Sequence, residues 1–253
     1  MNVIGFRTLF YKEVLRFFKV WLQTVLAPIV ASLLFLLVFG HAFDTRAEPF
    51  AGVSYTAFLI PGLMMMAMIQ NAFANASSSL IQSKMAGNIV FLLLAPLSYL
   101  EFFAAFVAAA VARGLFVGLG VYAIAVWAIA VPFYSVWMIL MFAVLGSAVL
   151  GALGMIAGIW AQKFDQIAVF QNFVILPMSF LSGVFYSLRG LPAFWRDLSH
   201  LNPFFYMVDG FRYGFFGVSD VSPWMSAAVV LVTLAAVSAA AVAMLKSGYK
   251  LRD

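Results

Sequence analysis

Six amide side chains lie at the ends of two long apolar runs, and they are the residues best placed to do chemistry in this chain. Three end the second run and three open the fifth: Gln70, Asn71, Asn75, Gln166, Gln171 and Asn172. The chemistry available to them is hydrogen bonding, either to a polar substrate in an inward-facing mouth or between neighbouring helices. The residues favour neither alternative.

The motifs of an enzyme or of a self-powered pump are missing from the sequence. It contains no G-x-x-x-x-G-K-[ST] loop for ATP phosphates, no H-E-x-x-H, no paired-carboxylate or Ser-His-Asp arrangement, and no acidic residue in the middle of an apolar run. With no cysteine and two histidines, we expect no disulfide, metal site or bound cofactor. If the chain transports a substrate by an energy-driven process, another subunit must therefore supply the energy.

The elements that position these residues are membrane spans. Hydrophobic residues make up 66% of the 253 residues and charged residues only 9%, and a span needs about 20 apolar residues. Because lipid-exposed backbone must satisfy its own hydrogen bonds, the runs predict an all-α integral membrane protein. Six windows meet the test: 21–41, 55–75, 113–131, 135–160, 167–187 and 224–245.

The charges predict the orientation of this single transmembrane domain, 1–253. With both termini in the cytoplasm, ten Lys and Arg residues lie inside and four outside, as the positive-inside rule requires. We therefore expect a multi-pass membrane protein with both termini in the cytoplasm; the family resemblance given below implies the bacterial inner (cytoplasmic) membrane. The net charge of +5 is better explained by contact with anionic membrane lipids than with nucleic acid.

Residues 1–20 predict an amphipathic helix on the inner membrane surface. Val3, Phe6, Phe10, Val14, Phe17 and Trp21 recur at helical spacing. The cations stand apart from them, at Arg7, Lys12, Arg16 and Lys19. This helix serves either as a topology anchor or as a lever pressed by a cytoplasmic partner.

The connection between the second and third spans predicts two helix starts. Serines 77–79 are expected to cap a short helix that ends at Gly87, and Ser98 and Glu101 have the spacing of a capping box that starts another. This second helix is too long for one span, so its first part is expected along the interface. We favour contact of Arg113 with headgroups over a role in a substrate path.

Residues 188–223 predict a broken helical hairpin that dips into the outer leaflet before the last span and tail, 224–253. The segment is too apolar for a solvated loop. Its aromatic residues form either an interfacial belt or stacking platforms for a substrate, and Asp209 and Arg212 are spaced as a structural pair. The outer aromatic residues singled out are Trp195, Phe204, Phe205 and Tyr206.

Two further features concern the spans themselves. Pro28, Pro61 and Pro177 interrupt spans one, two and five and predict kinks. Gly114-x-x-x-Gly118 and Gly154-x-x-x-Gly158 fit close helix packing.

These features together resemble the membrane subunit of an ABC-2 type transporter, in its short, single-module form from Gram-negative inner membranes. The resemblance covers nearly the whole chain. Its most specific parts are Pro177-Met-Ser-Phe-Leu-Ser-Gly-Val-Phe-Tyr186 and Leu201-Asn-Pro-Phe-Phe-Tyr-Met-Val-Asp-Gly-Phe-Arg212, with Leu93-Leu-Ala-Pro-Leu-Ser98 as a weaker one.

The resemblance implies a homodimer working with two copies of a separate ATPase, which binds ATP and Mg. It places a cytoplasmic coupling helix near residues 80–88 and a path near spans one, two and five. The coupling residues carried over are Leu80, Ile81, Lys84, Gly87, Asn88 and Asp165. We expect export of an amphipathic lipid, glycolipid or polysaccharide; the alternatives are drug or toxin efflux and a scaffold without transport.

Overall fold

The computed structural model describes residues 2–40, 42, 49–50, 52–129 and 131–251, and within these it contains helices and no β-strand. We number the described helices along the chain, counting consecutive α- and π-helical stretches as one. They are α1 Val3–Phe18, α2 Leu22–Gly40, α3 Tyr55–Met85, α4 Ile89–Leu94, α5 Tyr99–Ala128, α6 Val136–Trp160, α7 164–180, α8 Ala193–His200, α9 Pro203–Phe216 and α10 Pro223–Ser247.

The all-α prediction is confirmed, and five of the described helices are long and apolar enough to cross a membrane: α2, α3, α5, α6 and α10. The predicted span at 167–187 is not among them. Its helix, α7, covers 164–180 and then breaks into turns. At 1.5 Å per residue α7 is about 25 Å long, shorter than a hydrocarbon core of about 30 Å.

Helix α3 is the central helix of the bundle. In its most apolar stretch 89% of the residues are buried by protein, and it packs mainly between α5 and α6. Glycines of both partners allow the close approach. A Cβ on Gly154 would lie 2.4 Å from the Phe73 carbonyl oxygen, and one on Gly118 would lie 2.6 Å from Met68 Sδ. The packing predicted for the two glycine motifs is confirmed.

Two of the three span prolines follow a widened turn of helix. A π-helical turn covers Leu22–Leu26 just before Pro28, and another covers Gln171–Ile175 just before Pro177. Proline cannot donate to the carbonyl four residues earlier, and a π turn accommodates the disturbed ladder. Pro61 lies inside α3 without such a turn among the described residues.

Helix α1 packs one face against α5 and leaves the opposite face exposed. Its buried residues are Leu9, Glu13 and Phe17, whereas Val3 is 60% exposed. The predicted apolar face is confirmed in its middle and not at its ends: Phe6, Phe10 and Val14 are half-buried and Phe17 is buried, whereas Val3 and Trp21 are exposed. The buried face includes a carboxylate because two neighbouring cations neutralise it, as described below.

The first helix is tied to the start of α5 by a shared carboxylate. Glu101 completes the predicted capping box with Ser98, which is confirmed. The same carboxylate also accepts a hydrogen bond from the backbone N–H of Asn2, and Asn2 caps α1 by accepting from Gly5 N at 2.9 Å. One acidic side chain thus fixes two helix N-termini.

The separate helix predicted over 80–88 is wrong. Residues 77–79 lie inside α3, which continues to Met85. Ser77 Oγ donates to Phe73 O at 2.8 Å, the i−4 contact that lets serine remain in a helix interior. Gly87 is a stop as predicted, with φ of +70° directly after the end of α3. A distinct short helix, α4, follows it.

Candidate functional site

The predicted residues of α1 and of the second span meet at one end of the bundle, here called the α1 end. Arg16 Nη2 donates to the backbone and side-chain oxygens of Asn75 at 2.7 and 3.0 Å, and Nη1 donates to Ser78 Oγ at 3.2 Å. Glu13 is fully buried and accepts from Lys12 Nζ at 2.8 Å and from Arg16 Nε at 3.3 Å. These contacts join α1 to α3.

A second arginine contact lies next to this cluster. Arg113 Nη2 donates to Asn71 Oδ1 at 3.0 Å, and Asn71 Nδ2 donates to Ala67 O at 3.0 Å. The favoured headgroup contact of Arg113 is therefore wrong, because its guanidinium binds an amide on the neighbouring helix. Asn71 and Asn75 both act as partners between helices, which is the second of the two alternatives for the amides.

Gln70 and Asn71 both line a cavity, and Asn71 is already bound to Arg113. The cavity has a volume of about 240 Å³ between α2 and α3, and Pro28, Phe35, Met66 and Gln70 are among its lining residues. The Nε2 atom of Gln70 is buried and has no hydrogen-bond partner among the described residues. A buried, unpaired amide in an apolar cavity is available to a polar group of a ligand.

The amides of α7 are not brought into this cavity. Gln171 is half-buried and Asn172 is exposed, both in the π turn of α7. Gln166 accepts a hydrogen bond from Gln162 N in the turn between α6 and α7. A single mouth lined by all six amides, one of the two alternatives, is not assembled within the described residues.

The connection after α3 is anchored by its lysine. Lys84 Nζ donates to Ile159 O at 2.8 Å and to Ala161 O at 2.7 Å, the carbonyls at the end of α6. Lys at a helix C-terminus binds orphan carbonyls favourably. The side chains of Leu80 and Ile81 are fully buried, so they support this end of α3.

The exposed residues at the α1 end that belong to predicted sites lie in three places. Residues 85–88 at the end of α3, including Gly87 and Asn88, are exposed, as is Asp165 in the first turn of α7. Along α1 the exposed cations are Arg7, Lys12 and Lys19.

The outer aromatic residues separate into two groups. Phe204, Phe205 and Tyr206 are buried at the start of α9, whereas Trp195 on α8 is 48% exposed. The three residues of α9 belong to the main hydrophobic core. The structure therefore gives them packing roles and not the role of substrate platforms.

The polar residues of α9 hold neighbouring backbone segments in place. Asp209 accepts from Asp220 N at 2.9 Å and Val221 N at 3.1 Å. Arg212 donates to Gly183 O at 2.9 Å and lies 3.7 Å above the ring of Phe58. The described residues show no ion pair between Asp209 and Arg212, so the direct pair predicted from their spacing is wrong.

Sequence reasoning missed Glu13 and the partners of Lys84. The signal for Glu13 is its position, one residue after Lys12 and three before Arg16, which is the spacing of an ion-paired acid on a helix. Nothing in the sequence signals the carbonyl partners of Lys84, because they are set by where α6 ends.

Comparison with known proteins agrees with this architecture. The family model for ABC-2 type transporters matches residues 5–216. The chain is 39% identical over 251 residues to the inner membrane transport permease YadH of Escherichia coli K12, covering 99% of this chain and 98% of that protein. It is 26% identical over 208 residues to nodulation protein J of Rhizobium leguminosarum bv. viciae, covering 78% of each.

These matches, together with several apolar helices, identify a multi-pass inner membrane protein with the role of a transport permease. Proteins of this kind work in an ABC transporter with an ATPase partner. The chain belongs to the ABC-2 type transporter family.

Proposed function

We propose that this chain is the permease subunit of an ATP-driven exporter that moves an amphipathic lipid, glycolipid or polysaccharide across the inner membrane. It acts as a homodimer with two copies of an ATPase, which binds ATP and Mg. ATP-driven movement of the ATPase pushes on the exposed α1 end and opens a path between the two permease subunits.

The observation that carries this proposal is the linkage of helix ends at the α1 end. Lys84 ties the end of α3 to the end of α6, and Arg16 ties α1 to α3. A force applied to residues 85–88 would therefore move three helices together. Such a rigid group transmits a push from a partner, whereas a loosely tethered loop would absorb it.

The placement of the termini supports the proposed topology. Leu9 of α1 and Leu245 of α10 belong to one buried cluster, so α1 and the C-terminal part of α10 lie at the same end of the bundle. An even number of crossings satisfies this arrangement. We propose that α7 supplies the sixth crossing and that α8 and α9, a re-entrant pair, follow it in the outer leaflet. Both termini then lie in the cytoplasm.

The coupling surface is tested by placing a bulky side chain on it without breaking its anchors. Ala86 is exposed and immediately follows α3, so Ala86→Trp adds bulk outside the core. We expect loss of permease-dependent ATPase activity in proteoliposomes holding the chain and its ATPase. Gly190→Trp is the matched control, since a Cβ there meets nothing within 4 Å and Gly190 lies in the outer segment.

Normal ATPase stimulation by Ala86→Trp would show that the coupling surface is elsewhere. If wild type binds the ATPase but never stimulates it, the chain is a scaffold and the transport proposal fails.

The cavity at Gln70 supports the amphipathic class of substrate, because it combines apolar walls with one unpaired amide. Deletion of the gene discriminates between the alternatives. Altered envelope lipids or glycans support the proposal, while unchanged envelope composition with raised drug sensitivity identifies a drug exporter.

A further inference from the structure

We propose that the groove between α1, α3 and α4 binds the phosphate of an anionic lipid headgroup. This groove is a half-open cavity of about 410 Å³ at the α1 end, separate from the cavity at Gln70. Helix α1 supplies Lys12 and Arg16, and α3 supplies hydroxyls and an amide. The other polar lining residues are Ser79, Gln82, Ser83 and Asn88.

The charge of the groove favours an anion. Among the described residues that line it, two are cations and none is a carboxylate. Glu13 lies fully buried beside Lys12 and Arg16 and forms an ion pair with each of them. The three side chains together carry a net charge of +1. An ammonium carries three donors, and Lys12 uses one of them on Glu13.

Ser79 shows that the groove has an unfilled hydrogen-bonding position. Its side chain is 1% exposed, and its hydroxyl has no hydrogen-bond partner in the described part of the chain. A buried hydroxyl without a partner is costly. A phosphate oxygen in the groove accepts from hydroxyls and amides as well as from cations, so it meets the chemistry of the whole lining.

The depth of the groove matches the headgroup layer. Counted from Tyr55 at 1.5 Å per residue, α3 crosses about 30 Å of hydrocarbon by residue 75. Ser79 and Ser83 then lie about 6 and 12 Å further on, outside the hydrocarbon core.

The apolar wall of the groove selects a lipid over a free phosphate. Phe91 and Leu92 of α4 line it, and Phe91 is 74% and Leu94 76% exposed. A short helix that exposes large apolar side chains next to a cationic groove provides one surface for acyl chains and another for a headgroup. Inorganic phosphate would use only the cationic groove.

The test measures lipid retention by the full chain in detergent, without ATPase or ATP. Native mass spectrometry compares phosphatidylglycerol with phosphatidylcholine for wild type, Gln82→Glu and Asn88→Asp. Both substitutions are isosteric at exposed positions and each adds one negative charge. We expect wild type to prefer phosphatidylglycerol and each variant to bind it about fivefold more weakly. Gln162→Glu, at an exposed amide in the turn after α6, is the matched control and should bind as wild type does.

Three results would overturn the proposal. Equal binding of the two lipids by wild type would remove the headgroup preference. Displacement of phosphatidylglycerol by an equal concentration of glycerol phosphate would show a site for free phosphate. Unchanged lipid binding in both variants would refute the charge argument, and weaker assembly of the variants with the ATPase in a separate binding assay would then make the groove a protein-docking surface. Because no ATPase is present in the lipid measurement, its failure leaves the transport proposal standing.

Discussion

Replacing Gly154 by alanine should destabilise the bundle, because this glycine allows α6 to touch the backbone of α3. The new Cβ would lie 2.4 Å from Phe73 O and 3.2 Å from Ala76 Cβ. A carbon normally approaches a carbonyl oxygen to about 3.3–3.6 Å. The two helices must therefore separate locally by about 1 Å, and the atom in the way is backbone that no rotamer change can move.

The magnitude follows from two opposing effects. Overpacking of this kind costs about 3 kcal/mol, and alanine gains about 1 kcal/mol over glycine as a helix former. The expected net loss is about 2 kcal/mol of unfolding free energy, or about 30-fold in the unfolding equilibrium constant. Gly118→Ala should cost less, because its Cβ meets the flexible side chain of Met68.

The assay is reversible unfolding in mixed micelles with increasing dodecyl sulfate, followed by far-ultraviolet circular dichroism. Gly190→Ala is the control, since that position is open and should change stability by less than about 0.5 kcal/mol. If Gly154→Ala is as stable as Gly190→Ala, the reasoning from helix contact is refuted.

Three further predictions use other parts of the structure. Asp209→Asn should cost about 1–3 kcal/mol of unfolding free energy in the same assay, because each carboxylate oxygen accepts one backbone N–H and asparagine replaces one of these oxygens with an NH2 donor; the exposed Asp197→Asn should leave the stability unchanged. Gln70→Leu should keep the fold and lower transport in proteoliposomes, since it removes the unpaired amide from the cavity. In this cysteine-free chain, Ser247→Cys should be labelled by an impermeant maleimide only from the cytoplasm and Gly190→Cys only from the periplasm.

Each of these predictions has an outcome that contradicts it. Equal stability of Asp209→Asn and Asp197→Asn would mean that the outer segment does not depend on the carboxylate. Transport by Gln70→Leu at the wild-type rate would show that this amide is not part of the transport path. Labelling of both cysteines from one side would overturn the proposed topology.

The sequence predicts the local features of the fold well, because these depend on neighbouring residues. The Ser98 and Glu101 capping box and the Gly87 stop need only backbone and side-chain geometry within one turn. The serines at 77–79 mislead because the same residue type caps a helix or bonds back within one. Only the packing of the following turns against α6 decides between these outcomes.

The candidate site is less predictable, because its partners are distant in sequence. Lys84 was expected on a coupling surface, yet its ammonium binds carbonyls 75 and 77 residues away. Arg113 binds Asn71 across 42 residues. Charge and amide positions show that such residues need partners, but only the arrangement of helices determines which partners they find.

The burial of α3 has a consequence for the order in which the protein is made. This helix is the least apolar of the five candidate spans and the most enclosed, yet it leaves the ribosome before α5 and α6, which enclose it. Asn71 of α3 leaves the ribosome before Arg113, the partner that it binds in the folded bundle. We expect α3 to stay beside the insertion machinery until α6 has emerged, so the shortest nascent chain that releases α3 to lipid should extend beyond residue 160.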